Sequence, residues 1–196
     1  MEAASPARQA RGQERVEQIL RATLAVIGRG GVGAVTHRTV AEEAGVPLGS
    51  LTYYFGSKQE LLREALRLHV VEDAGRLRAL AAELADSGAD GQQIVDGFAD
   101  VLESGHPDIA QFELYLEAAR DPALREVAAE SLRAYAEVAE AALRAAGVPN
   151  ASGAASVVVA AIDGLGLHRS AAGDKAVDLR AALALLLRAL SPPSGA

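Results

Sequence analysis

A chain of 196 residues, half of them hydrophobic, can build a sizeable core in one large domain or in a small and a medium one. It has no cysteine, which excludes disulfides and thiolate metal sites, and alanine, leucine and arginine outweigh the β-branched and aromatic residues of strands. The net charge of −7 is unevenly spread: residues 1–60 hold seven basic side chains against six acids, and residues 61–196 hold twelve against twenty. Only the N-terminal third therefore suits a phosphate-rich partner.

In chain order, residues 1–10 read as a small, polar, unstructured arm. No apolar leader and no uncharged stretch of membrane-spanning length is present, so a cytoplasmic protein without a membrane partner is expected. Val16, Ile19, Leu20, Thr23, Leu24 and Ile27 recur at three- and four-residue steps and predict a helix over 13–27. The run Gly28 to Gly33 ends it; with no following Lys-Ser/Thr and no preceding strand, it lacks the marks of a phosphate cradle. Thr36 is placed to cap a short helix reaching Ala44, and Gly45 breaks it. Pro47 opens a second short helix to Tyr54. After Phe55-Gly56, Ser57 and Glu60 form a capping box ahead of Leu61, Leu62, Ala65, Leu66 and Leu68. Further helices are expected over 76–86, 91–104, 107–119, 121–146, 151–171 and 175–190, with no strand and no internal repeat.

The segment from His37 to Phe55 has the pattern of a helix-turn-helix. Ala41 lets two helices approach, Gly45 permits the turn, and Val40, Ala44, Val46, Leu51 and Tyr54 fall on the buried side. Leu48, Gly49, Ser50, Thr52 and Tyr53 remain outside on residues 47–54, the expected recognition helix, small enough for a major groove about 12 Å wide. A plain helical hairpin with a glycine turn shares the alanine and the glycine. The continuation Gly49-Ser50-Leu51-Thr52-Tyr53-Tyr54-Phe55-Gly56-Ser57-Lys58-Gln59-Glu60-Leu61-Leu62 is more particular. It resembles the signature of the tetracycline-repressor (TetR) family, and the likeness runs in order from Arg15 to Leu66. Pro47 stands where family members commonly carry serine, and Thr52 where many carry tyrosine.

The resemblance implies an all-α protein in which a three-helix helix-turn-helix domain precedes a larger helical ligand-binding and dimerisation domain. The expected division is an arm over 1–12, the DNA-binding domain over 13–56, a connecting helix over 57–75, the effector and dimerisation domain over 76–190 and a tail over 191–196. It also implies a sequence-specific transcriptional regulator, a repressor released from a palindromic double-stranded operator by a small molecule. Thr36, Tyr53 and Lys58 would meet phosphates, His37 and Arg38 would lie at the groove edge, Leu48, Gly49 and Ser50 would face the bases, and Thr52 would stand at a backbone-contact position. With Leu48 apolar and Gly49 lacking a side chain, a thymine methyl or plain groove shape is the expected target there in place of a hydrogen bond.

Phe98, Phe112, Tyr115 and Tyr135, with Glu113, are the candidate effector-binding residues; aromatics at helical spacing equally suit a plain core. Between Ala154 and Leu167 the one charge is Asp163, so this helix must be covered on every side. With the leucine stripe of the last helix it predicts a homodimer seam through Val158, Ile162, Leu165, Leu183 and Leu187, although an intramolecular core helix would show the same pattern. The four histidines, His37, His69, His106 and His168, are scattered, and no metal-ligand spacing or nucleophile elbow accompanies them. No catalytic residue, metal or cofactor is therefore expected. An architectural or protein-binding module, or an activator in place of a repressor, stays open at this point.

Overall fold

The computed structural model describes residues 6–104, 109–175 and 177–191, and among these every regular element is helical. His106 and the ends of the expected arm and tail lie outside them. The chain divides into two compact units, Met1–His69 with Ile109–Ala128, and Val70–Asp108 with Ala129–Ala196.

In the first unit, α1 (Pro6–Gly30) starts a full two turns before the expected Gln13. Ala7, Arg8, Gln9, Ala10 and Arg11 are good helix formers behind a proline at the first helical position, and this local preference outweighs their polarity. Gly31, at φ 71°, makes the left-handed turn that ends α1. A 3-10 turn (Val32–Ala34) leads into α2 (His37–Ala44), capped by Thr36, whose side chain accepts from the Thr39 N–H at 3.1 Å. The Thr39 hydroxyl in turn accepts from the Thr36 N–H at 3.0 Å. Gly45 ends α2 in the left-handed region, and α3 (Leu48–Tyr54) follows.

Leu51 is the one buried residue of α3; Val46 before it and Phe55 after it, both buried, pin its two ends. The fully buried Ile19, Ile27, Val40, Leu51, Leu61 and Leu66 come from all four N-terminal helices. The same unit takes in α6 (Ile109–Ala118), which packs on α1 and buries Ala110, Gln111, Leu114 and Ala118. Sequence order had placed this segment in the effector domain.

α4 (Lys58–Asp86) is one 29-residue helix, where a connecting helix and a separate helix over 76–86 were expected. Val70, Ala74, Leu77 and Ala81 are buried on either side of Gly75 and keep one stripe in register, and a single glycine without a neighbouring turn residue is tolerated inside the helix. The second unit continues with α5 (Gly91–Ser104), most of α7 (Pro122–Ala145), α8 (Ala151–Ala172) and α9 (Leu179–Leu190). Asp178 accepts from the Ala181 N–H at 3.0 Å, which starts α9 four residues later than expected.

Leu143, Val148, Ala151, Ala154 and Val158 form one buried cluster in this unit, and Val95, Ala99, Leu179 and Leu183 another. Ile162 and Leu187 pack against both, and Leu165 against the second. Of the five residues expected at a dimer seam, Val158 and Leu183 are buried within the protomer, and Ile162, Leu165 and Leu187 are half-buried. A helix apolar on all sides gives no hint of which face turns inward. On α8 and α9 the large apolar residues left exposed are Val157, Leu167 and Leu185. By length and composition α8 is apolar enough to cross a membrane, yet its other face lies in this core. Arg180 ties α9 to α5 through Asp96 at 2.7 Å, Asp100 at 2.5 Å and Glu103 at 3.5 Å.

Two outcomes test this packing. Leu51→Ala should cost about 3 kcal/mol in urea unfolding, and a loss below about 1 kcal/mol would show that α3 is not anchored by this side chain. Asp163 is half-buried on α8, and burial pushes its carboxyl from the usual 3.8 up to about 6. The folded chain therefore holds this proton more tightly than the unfolded one. The carboxyl is harmless below about pH 4 and destabilises increasingly as pH rises through about 6. Asp163→Asn should raise Tm at about pH 7.5 and leave it unchanged near pH 4; equal Tm values at the higher pH would contradict the desolvation.

Candidate nucleic-acid interface

The helix-turn-helix is held by polar contacts that its own sequence supplies. Gln18 Nε2 donates to the Ala44 carbonyl at 2.7 Å, closing the C-terminal end of α2. The His37 ring nitrogen Nε2 lies 3.0 Å from the Phe55 carbonyl and donates to it, joining the start of α2 to the end of α3. Ser57 Oγ accepts from the Glu60 N–H at 3.1 Å, the expected cap of α4, while Glu60 Oε2 reaches one residue further back than a capping box requires and accepts from the Gly56 N–H at 2.8 Å. Lys58 Nζ donates to the Val32 carbonyl at 2.7 Å, and the Val32 N–H donates to Glu113 Oε2 at 3.4 Å.

Against this frame the expected DNA-facing residues separate into two groups. Thr36, His37 and Lys58 are engaged inside the unit, Thr36 at its cap, His37 on Phe55 and Lys58 on Val32. Arg38, Leu48, Gly49, Thr52 and Tyr53 are exposed, and Ser50 is half-buried. Arg38 lies alongside Glu42 at 2.9 Å with 82% of its side chain accessible. Leu48 is 48% and Tyr53 83% exposed, unusual for large apolar or aromatic residues beside a packed core. The Thr52 hydroxyl donates to the Leu48 and Gly49 carbonyls, both at 3.2 Å. Tyr54, half-buried, meets the Tyr53 ring edge-on with centroids 5.1 Å apart. The outward surface of α3 is thus a short strip of methyl groups, one glycine and one phenol, on a rigid backbone.

Comparison with known proteins gives this geometry a family. Residues 19–65 match the family described as bacterial regulatory proteins, tetR family, and residues 89–192 match the tetracyclin repressor-like C-terminal domain. The chain belongs to the TetR family. Among curated relatives, the HTH-type transcriptional regulator BetI of Paraburkholderia phymatum is 34% identical over 179 residues, covering 87% of this chain and 88% of that protein. A TetR-family structure from Streptomyces coelicolor A3 superposes with TM-score 0.70 at 37% identity, covering 92% of this chain and 99% of the other. The multidrug binding protein EbrR complexed with ethidium gives TM-score 0.69 at 35% identity, covering 91% and 99%.

This TetR-family chain is therefore a DNA-binding transcriptional regulator and not an enzyme. Of the candidate effector residues, Phe112, Glu113 and Tyr115 lie on α6 in the first unit, and Phe98 and Tyr135 lie in the second. The Tyr115 hydroxyl accepts from Gln111 Nε2 at 3.1 Å, and Gln111 Oε1 lies 3.0 Å from His69 Nε2. Tyr135 is buried and its hydroxyl donates to Asp73 Oδ2 at 3.0 Å. Phe98 and Phe112 are half-buried and His168 is exposed. Glu113 reaches residue 32 across 81 positions of sequence, a link no local pattern announces. Asp73, Gln111 and His69 were missed for the same reason.

Replacing Lys58 separates its two roles. Lys58→Met should lower stability by about 1.5–3 kcal/mol, the range for a hydrogen bond from a charged group, and leave the salt dependence of DNA binding unchanged. A salt slope shallower by about 0.9 per protomer, with stability intact, would instead identify Lys58 as a phosphate contact.

Proposed function

We propose that the chain is a homodimeric, cytoplasmic repressor that holds a palindromic operator through α3 and releases it when a small molecule occupies the C-terminal domain. The observation that carries this reading is α3 itself, fixed at both ends by buried residues and presenting Leu48, Gly49, Thr52 and Tyr53 outward. Leu48 takes a thymine methyl, Ser50 and the Gly49 backbone follow the base edges, and Tyr53, Arg38 and the N-terminal end of α2 at Thr36 take phosphates.

One recognition helix of this size reads few base pairs, and a two-fold partner supplies the second half-site. The surface that suits the partner protomer is the outer strip of α8 and α9, through Val157, Gly164, Leu167 and Leu185. Val157, Leu167 and Leu185 are 63%, 52% and 61% exposed within a single chain, and Gly164 between them allows close helix approach. A second protomer would cover what otherwise leaves α8 apolar enough to resemble a membrane span.

EbrR, complexed with ethidium, supports an organic cation as effector, and so does the acidic excess of residues 61–196. The ligand acts by population shift, favouring a dimer whose two α3 helices no longer match the half-site spacing.

Selection of bound duplexes from a random pool at moderate salt tests the reading. A palindrome with half-sites about one helical turn apart is expected, and Val157→Asp should yield monomers in sedimentation and abolish the enrichment. Binding without sequence preference would favour an architectural module, and an intact dimer in Val157→Asp would move the seam elsewhere.

A further inference from the structure

The first turns of α1 carry arginines on a face where the rest of the helix carries core. Arg11, Arg15, Ala22 and Val26 lie on one strip, at spacings of four, seven and four residues. Ala22 and Val26 are buried, whereas Arg15 is half-buried and Arg11 exposed. The strip therefore runs out of the packed interior at its N-terminal end and keeps its direction.

Two contacts say what lies on that side. At 100° per residue, Gln18, Arg11, Arg15 and Gly12 follow one another around about a third of the circumference of α1. Gln18, at one limit of the arc, donates to the Ala44 carbonyl at the end of α2. Gly12, at the other limit, sits where a Cβ would be 3.8 Å from the Tyr54 hydroxyl at the end of α3. Arg11 and Arg15 leave α1 between these limits, toward the side of the helix-turn-helix. Of the acids in this stretch, Glu17 lies on the other flank, where it pairs with Arg21 at 3.2 Å, and Glu14 stands at the edge of the arc, three residues from Arg11. Two cations thus lie on the side of α3 in a chain whose net charge is −7.

We infer that Arg11 and Arg15 are a second DNA contact, gripping backbone phosphates beside the bases that α3 reads. This rests on the DNA-binding reading above and extends the interface beyond the helix-turn-helix itself. A guanidinium offers forked donors to phosphate oxygens and keeps its charge at any working pH. Contacts of this kind add affinity and steepen salt dependence while leaving sequence choice to the bases.

The test uses the full-length chain and a duplex recovered by selection, with affinity measured across a salt series. The double variant Arg11→Gln/Arg15→Gln should flatten the plot of log K against log salt by about 0.9 per phosphate released, or about 3.6 for a dimer, while enriching the same sequence. Arg21→Gln, on the opposite flank, should keep the wild-type slope, and Arg11→Lys/Arg15→Lys should restore most of it. An unchanged slope in the Gln variant, with the operator still bound, overturns the inference alone. Failure of the wild-type chain to bind any duplex overturns the DNA-binding reading and the inference with it.

Discussion

The Val32 carbonyl accepts the Val35 N–H within its own turn at 3.2 Å, and its second lone pair takes Lys58 Nζ at 2.7 Å, 26 residues further on. The N–H of the same residue is held by Glu113 from α6, and a side chain at Gly31 would bring its Cβ to 3.2 Å from that carboxylate. Val32 is buried and stands directly before the residues that lead into the Thr36 cap. The start of α2, and through the His37–Phe55 bond the end of α3, is therefore set by one residue gripped from two helices. The positive φ at Gly31 brings the turn close enough to Glu113 for this grip.

That constraint explains why side chains that look like DNA contacts in the sequence are occupied in the fold. α2 and α3, of eight and seven residues, bury little apolar surface, so their orientation is completed by polar ties. Thr36, His37 and Lys58 supply them at the joints. The outward surface is then left to residues that make few internal bonds, such as Leu48 and Tyr53. Rigidity behind and simple chemistry in front are two results of one allocation of polar groups.

Local signals made most of this legible. The Thr36 cap, the Gly45 turn, the Ser57 cap of α4 and the Asp121-Pro122 start of α7 all depend on neighbours within a few residues, and the fold forms them as read. Periodicity failed where it carries no direction. α8 is apolar around its whole circumference, so the sequence did not show that Val158 is buried within the chain while Val157 and Leu167 are exposed. It failed too where composition misled. Residues 6–12 were read as a loose arm because they are small and charged, although alanine, arginine and glutamine favour helix. The α6 segment joins the helix-turn-helix through packing against α1 and the long-range Glu113 bond, and no local pattern encodes either.

The exposed Leu48 at the first turn of α3 has one more consequence. An apolar side chain in the major groove registers a methyl group, whichever pyrimidine carries it. 5-Methylcytosine places its methyl where thymine does, while the exocyclic amine that would mark it as cytosine is invisible to a leucine. An operator read through Leu48 would thus respond to enzymatic methylation of its cytosines, and the epigenetic state of the DNA would become an input beside the small molecule.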